Sequence, residues 1–134
     1  ECGDVGVHVF TYSFLPHMGG FAAETVIRPA YELNMPALVA AGAADMPQLA
    51  QVDAPNVIVE AVKLAEDDEG ALIYRLYEAE RSAVTTNLTL PGKPLRAELT
   101  NLLEEPEAPL ELEGNQIRLG FRAFEIKTVK VYYR

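Results

Sequence analysis

From residue 48 onward, turn residues cut the chain into short apolar runs, and that spacing most restricts what it can fold into. NVIVEAVKLAE and ALIYRLYEAE are rich in β-branched and aromatic residues, and the acidic turn Asp67-Asp68-Glu69-Gly70 joins them as a hairpin. Residues 56–64 and 71–79 are therefore expected to pair antiparallel. SAVTTNLTL follows, closed by Pro91-Gly92, then LRAELTNLLE and EEPEAP, an acidic stretch broken by proline. Two short strands, near LELE and QIRLGF, flank Gly114-Asn115, and residues 124–133 read as a closing strand. Short strands with turn signals every 8–14 residues predict a mainly β protein, an antiparallel β-sandwich.

The first third reads differently. Residues 5–15 alternate with the period of a strand. His8, Phe10, Tyr12 and Phe14 fall on one face, and Val7, Val9, Thr11 and Ser13 on the other. Both faces are fairly apolar, which predicts a strand covered on both sides. Pro16 ends it and Gly19-Gly20 make a turn. A short helix is expected near residues 21–33, with Phe21, Thr25, Val26, Ala30 and Leu33 on one side. Pro29 implies a kink, or a second short helix with proline in its first turn. Residues 35–47, rich in Ala, Pro and Gly, read as a surface connection. The opening ECGDVG lacks an initiator Met, and a strand pattern starts almost at once; the chain reads as a piece of something longer.

Composition narrows the function classes. The 134 residues are 49% hydrophobic and 23% charged, which suits one packed domain or at most two small units. A net charge of −9 argues against a nucleic-acid backbone or an anionic membrane surface as partner. No stretch approaches the ~18 apolar residues of a membrane span. The single Cys2 makes no internal disulfide, so a reducing cytoplasm is the expected compartment.

Few residues invite chemistry. His8 and His17 are the two histidines, and a zinc site needs three or four converging ligands. His8 is expected as a hydrogen-bonded core histidine on a strand; His17, beside Pro16 in a turn, is the more accessible of the two. Glu66-Asp67-Asp68-Glu69 lacks the ligand spacing of a calcium loop and reads as a solvated hairpin tip. Cys2 has no histidine at a recognisable spacing, and Ser13 lacks a nucleophile elbow. Asn87-Leu88-Thr89 fits a glycosylation sequon. The expected catalytic, cofactor and metal residues within these 134 are therefore none.

The order of segments says more than any one of them. Asp4-x-Gly6-x-His8, with Phe10, Tyr12 and Leu15-Pro16-His17-x-Gly19, resembles a signature of the glycoside hydrolase family 38 α-mannosidases. The likeness continues through Ala30-Tyr31-Glu32-Leu33-Asn34, Asn56-Val57-x-Val59-Glu60-Ala61 and Arg75-Leu76-Tyr77-Glu78. It closes with Asn101-Leu102-Leu103-Glu104 and Phe124-Glu125-Ile126-Lys127. The resemblance implies a retaining exo-α-mannosidase parent acting on terminal mannose. Its aspartate nucleophile, its acid–base carboxyl and its zinc would lie in an N-terminal catalytic domain. It also implies that residues 1–47 complete a central β super-sandwich and that residues 48–134 form a terminal sandwich. The partners it implies are the preceding domains of the same chain, with a homo-oligomer possible. A standalone carbohydrate-binding or interaction sandwich is the alternative; it would normally show exposed Trp or Tyr, and the chain has no Trp.

Overall fold

The computed structural model describes residues 5–35, 37, 39, 41–42, 50–68 and 70–133. Most of residues 35–47, expected as a connection, lie outside that set, as do Cys2, Asp4 and Glu69.

Among the described residues, eight strands follow one short helical unit. In chain order they are β1 (Gln51–Val52), β2 (Val57–Leu64), β3 (Ala71–Glu78), β4 (Val84–Thr89), β5 (Arg96–Thr100), β6 (Pro106–Leu110), β7 (Gln116–Phe121) and β8 (Ile126–Tyr132). They form two antiparallel sheets, β1-β4-β7 and β2-β3-β8-β5-β6. The alternation in each run decides which sheet face meets the other. From the smaller sheet Leu88, Ile117, Leu119 and Phe121 point inward; from the larger, Tyr74, Leu76, Val129 and Val131 do. All eight are buried, and together they form the core of the sandwich.

The expected hairpin is present. Val57 pairs with Glu78 and Leu64 with Leu72, with a bulge between Val59 and Ala61. The closing strand is β8, which lies between β3 and β5 at the centre of the larger sheet.

EEPEAP departs from expectation. Its prolines signal a break, yet Pro106–Leu110 is β6, paired to β5. β6 is an edge strand, the place in a sheet where proline is tolerated. The strand expected at LELE is accordingly displaced. β6 ends at Leu110, and only Glu113 forms a bridge, to Gln116 across Gly114, whose φ is +67°.

The helical unit also corrects a detail. One π-helical turn, Ala23–Ile27, runs into α1, Arg28–Asn34, with proline at its start as foreseen. The packed face is Ala23, Ile27 and Tyr31, set on Ile58, Tyr77 and Ala79 of the larger sheet's outer side. Phe21 and Leu33, expected on that face, are exposed. A π turn holds more residues than an α turn, so a 3.6 period carried through it points to the wrong side.

The largest correction concerns residues 5–15, which form no strand. Val7, Val9, Phe10, Tyr12 and Phe14 are exposed, as are His8, Thr11 and Ser13. Alternation specifies an extended chain. A strand also needs a neighbour for its N–H and C=O groups, and no described strand pairs with this segment.

Candidate functional site

Glu78 is the most deeply buried charge among the described residues. It falls on the inward phase of β3, after Tyr74 and Leu76, where an apolar residue would be expected. The Asn56 amide (2.9 Å), the Glu80 N–H (2.7 Å) and the Ser82 hydroxyl (3.3 Å) all donate to its Oε1. The Phe124 N–H donates to Oε2 at 2.9 Å. Burial pushes the carboxyl pKa up, but the donors from Phe124, Glu80 and Asn56 outweigh it and hold it at about 2. One carboxylate thus ties together the turns that hold Asn56, residues 79–82 and residues 122–125. Phe124 takes a positive φ of 58° there, and its ring is exposed.

Glu104 plays the same part at another turn. Its Oε2 accepts the Glu66 N–H at 2.9 Å, and its Oε1 meets Lys63 Nζ at 2.6 Å. The Lys63 contact and the Glu66 N–H lower its pKa against the opposing effect of burial. Asn101 Oδ1 accepts the N–H groups of Leu103 and Glu105, and Arg75 donates to the Leu102 carbonyl at 3.2 Å. Arg75 and Lys63 both stand on the outer face of the larger sheet, so residues 101–105 fold back over that face.

Asp53 accepts the Thr86 hydroxyl at 2.6 Å, the Asn87 N–H at 2.9 Å and the Asn87 amide at 2.7 Å. These donors, Thr86 first, hold its pKa below the usual carboxylate range. The side chain of Asn87, the sequon asparagine, is therefore engaged in the sheet. An open cleft of about 660 Å³ lies beside it, lined by Arg28, Tyr31, Glu32, Gln51, Asp53 and Thr89 among others.

Chemically, Asp53, Glu78 and Glu104 act as acceptors for their own chain. A carboxylate whose oxygens are filled by fixed donors and whose pKa is depressed makes a poor proton donor at neutral pH. Among the described residues no three His, Cys, Asp or Glu side chains gather in one place.

The residues singled out from sequence are not brought together. His8 is exposed rather than in a core, because the strand that was to bury it is not formed. His17 is exposed, with its Nδ1 3.3 Å from the Met18 carbonyl oxygen. Asp68 shapes the hairpin tip, accepting the Gly70 N–H at 3.3 Å and facing Lys130 at 3.8 Å. Of the six tyrosines only Tyr12 is exposed; Tyr74 bonds Tyr133 (3.0 Å), and Tyr31 bonds Tyr77 (3.3 Å). That leaves no exposed tyrosine among the described residues of the sandwich itself, where the Phe124 ring is the exposed aromatic group. Sequence reasoning overlooked Glu78, although a charge on the apolar phase of a strand is the signal that marks a tied carboxylate.

Residues 56–129 match the family model described as the glycosyl hydrolases family 38 C-terminal beta sandwich domain. The chain is 37% identical over 131 residues to alpha-mannosidase 2C1 of Homo sapiens, covering 92% of this chain and 13% of that protein. It is 35% identical over 134 residues to alpha-mannosidase 2C1 of Mus musculus, covering 94% of this chain and 13% of the relative. Alpha-mannosidase G of Dictyostelium discoideum is 29% identical over 139 residues, at 95% and 12% coverage. The chain thus spans about an eighth of the length of these relatives. The matched stretch runs from Asn56, which caps the Glu78 carboxylate, to Val129 in the central strand; this chain belongs to the glycoside hydrolase family 38 C-terminal β-sandwich family.

Proposed function

We propose that this chain is the non-catalytic C-terminal part of a retaining α-mannosidase that removes terminal non-reducing α-D-mannose. The observation that carries the reading is the exposed apolar row Val7, Val9, Phe10, Tyr12 and Phe14 beside a sandwich whose buried carboxylates are all occupied. Such a row is costly in water and suits a strand that pairs with preceding parts of the same polypeptide. On this reading residues 1–47 complete a central β region and residues 48–134 form the terminal sandwich, and both histidines serve structure. The nucleophile, the acid–base carboxyl and the zinc belong to the preceding catalytic part, where the metal would grip sugar hydroxyls. The lone cysteine fits a cytoplasmic enzyme.

The test is hydrolysis of an aryl α-mannoside. The full-length polypeptide should turn it over, and these 134 residues alone should not, with or without zinc. Zinc-dependent turnover by the isolated chain, abolished by a substitution within it, would refute the reading. The cleft beside Asp53 favours a second reading, a carbohydrate-binding sandwich. It predicts saturable binding of mannose oligosaccharides that Tyr31→Ala and Glu32→Ala abolish.

A further inference from the structure

The smaller sheet stops short of the larger one. It has three strands to the other's five, and β7, its last, pairs with β4 alone. The Leu90 N–H donates to the Asn115 carbonyl at 2.9 Å, and the unbroken register carries that alternation along, so Ile117, Leu119 and Phe121 bond β4. The N–H and C=O groups of Gln116, Arg118 and Gly120 therefore point to the open side. Gln116 exchanges both bonds with Glu113, at 2.9 and 3.1 Å. Past that bridge residues 106–110 belong to β6 in the other sheet, and no strand among the described residues pairs with Arg118 or Gly120 on that side. The facing sheet is thinly covered where it runs beyond β8. Leu99 of β5 and Ala108 of β6 pair on the inward phase, yet Leu99 is only half-buried and Ala108 is exposed.

The other three edges are blunted. β1 has two residues, β2 carries a bulge, and β6 holds two prolines. β7 has none of these devices. Its Gly120 lies inside the strand without a positive φ, and a Cβ placed on it meets nothing within 4 Å. The domain by itself gives no reason for glycine there, and a strand glycine without a bulge marks a place where another chain comes close. Arg118, on the same face, is exposed, and its guanidinium has no partner among the described residues.

We propose that the open edge of β7 receives a short extended segment from the preceding part of the same polypeptide, as a fourth strand of the smaller sheet. The inference rests on the functional reading above. A row of free backbone donors and acceptors is complemented by another extended backbone. Register then fixes the chemistry of the newcomer. Opposite Arg118 it carries an Asp or Glu, opposite Gly120 a bulky side chain that fills the room the glycine leaves, and between them an apolar residue aimed at Leu99 and Ala108. Residues 5–15 of a second copy hold no Asp or Glu and cannot supply the acid. The β7 edge of a second copy would bring another Arg118 instead. Some seven-eighths of each relative lies outside the stretch matched here, and that is the chain from which the segment comes.

The experiment compares amide exchange at Arg118 and Gly120 in the 134-residue chain and in the full-length polypeptide, and it needs no variant. In the 134-residue chain both N–H groups face water and should exchange fast; in the full-length protein they should exchange at least about tenfold more slowly. Gly120→Val then probes the space beside the edge. In the 134-residue chain valine meets no neighbour and suits a strand, so the thermal midpoint should hold within about 1 °C or rise. In the full-length protein the same valine should collide with the added strand and restore fast exchange at Arg118, and Arg118→Glu should do so by repelling its acid. Equally fast exchange in both proteins, or full-length protection that survives both substitutions, would overturn the proposal. If the full-length protein still cleaved an aryl α-mannoside and the 134-residue chain did not, the functional reading would stand and only this surface would fall. A 134-residue chain that sediments as a dimer with these two amides protected would also overturn it, because the added strand would then come from a second copy.

Discussion

HVFTYSF, residues 8–14, and LIYRLYE, residues 72–78, alternate alike and meet opposite fates. The second lies in β3 with β2 on one side and β8 on the other, and its Tyr74, Leu76 and Glu78 are fully buried. The first has no strand beside it among the described residues, and its Phe10, Tyr12 and Phe14 are 78–90% exposed. Alternation tells the chain to extend and says which side chains share a face. Neighbours decide whether either face is dry, and they lie far away in sequence. β3 finds one neighbour through a six-residue connection and the other some fifty residues on.

The sharpest way to break this comparison is a truncation in the buried strand. Leu76→Ala removes a fully buried side chain from the layer shared with Leu88, Leu119 and Val129. It should cost about 2–5 kcal/mol in a denaturant titration, with an unchanged m-value. A cost below about 1 kcal/mol would mean that β3 is no better packed than residues 8–14.

Glu78→Gln is expected to cost less, about 1–3 kcal/mol. The amide keeps the size of the side chain but replaces one acceptor oxygen with a donor. It then faces a cage made of donors, the Asn56 amide and the N–H groups of Glu80 and Phe124. The Phe124 turn, with its positive φ, should loosen first, as faster amide exchange at residues 122–126.

How much of this was legible follows from range. The hairpin of residues 56–64 and 71–79 was readable because its apolar runs and its acidic turn are contiguous. The pairing of β3 with β8 was not, since nothing in FEIKTVKVYYR names its partner. β6 was hidden by Pro106 and Pro109, which signal a break until one knows the strand lies at an edge. The helix was located, but its buried face was misjudged because the π turn at Ala23–Ile27 breaks the period. At the candidate site, Glu78 was visible as a charge on an apolar phase, whereas its donors come from three separate turns. Glu104 carried no such mark, because its partners Lys63 and Glu66 lie some forty residues upstream.

Acid should expose the same tied carboxylates as a smaller effect. The folded pKa of Glu78 is about 2 against 4.5 for the free side chain, so the folded state binds its proton more weakly than the unfolded chain does. Its contribution is complete above pH 4.5 and is lost as the pH falls from there towards 2. Glu104, Glu125 and Asp53 are lowered too and act in the same direction. Stability measured between pH 6 and pH 3 should therefore fall, and Glu78→Gln should flatten part of that slope. At the alkaline end burial raises Tyr74 and Tyr77 above their usual 10.0, so stability should decline again as the pH climbs past that value.

The smallest effect is the most telling one. Phe10→Ala in the 134-residue chain removes a large ring that is 78% exposed, with Tyr12 as its ring neighbour at a 6.3 Å centroid distance. Little apolar area returns to water, so the stability of the chain should change by less than about 0.5 kcal/mol. The same substitution in the full-length polypeptide should cost about 3–5 kcal/mol if residues 5–15 pair and pack there, since a buried Phe→Ala change leaves both a transfer loss and a cavity. The ratio between the two measurements reports whether the segment gains neighbours in the full-length protein. Equal small costs in both contexts would mean that the segment stays bare in the full-length protein as well. An unchanged full-length midpoint with an altered preference among mannosides would instead place Phe10 at the sugar, and the segment would be part of the substrate site rather than a structural strand.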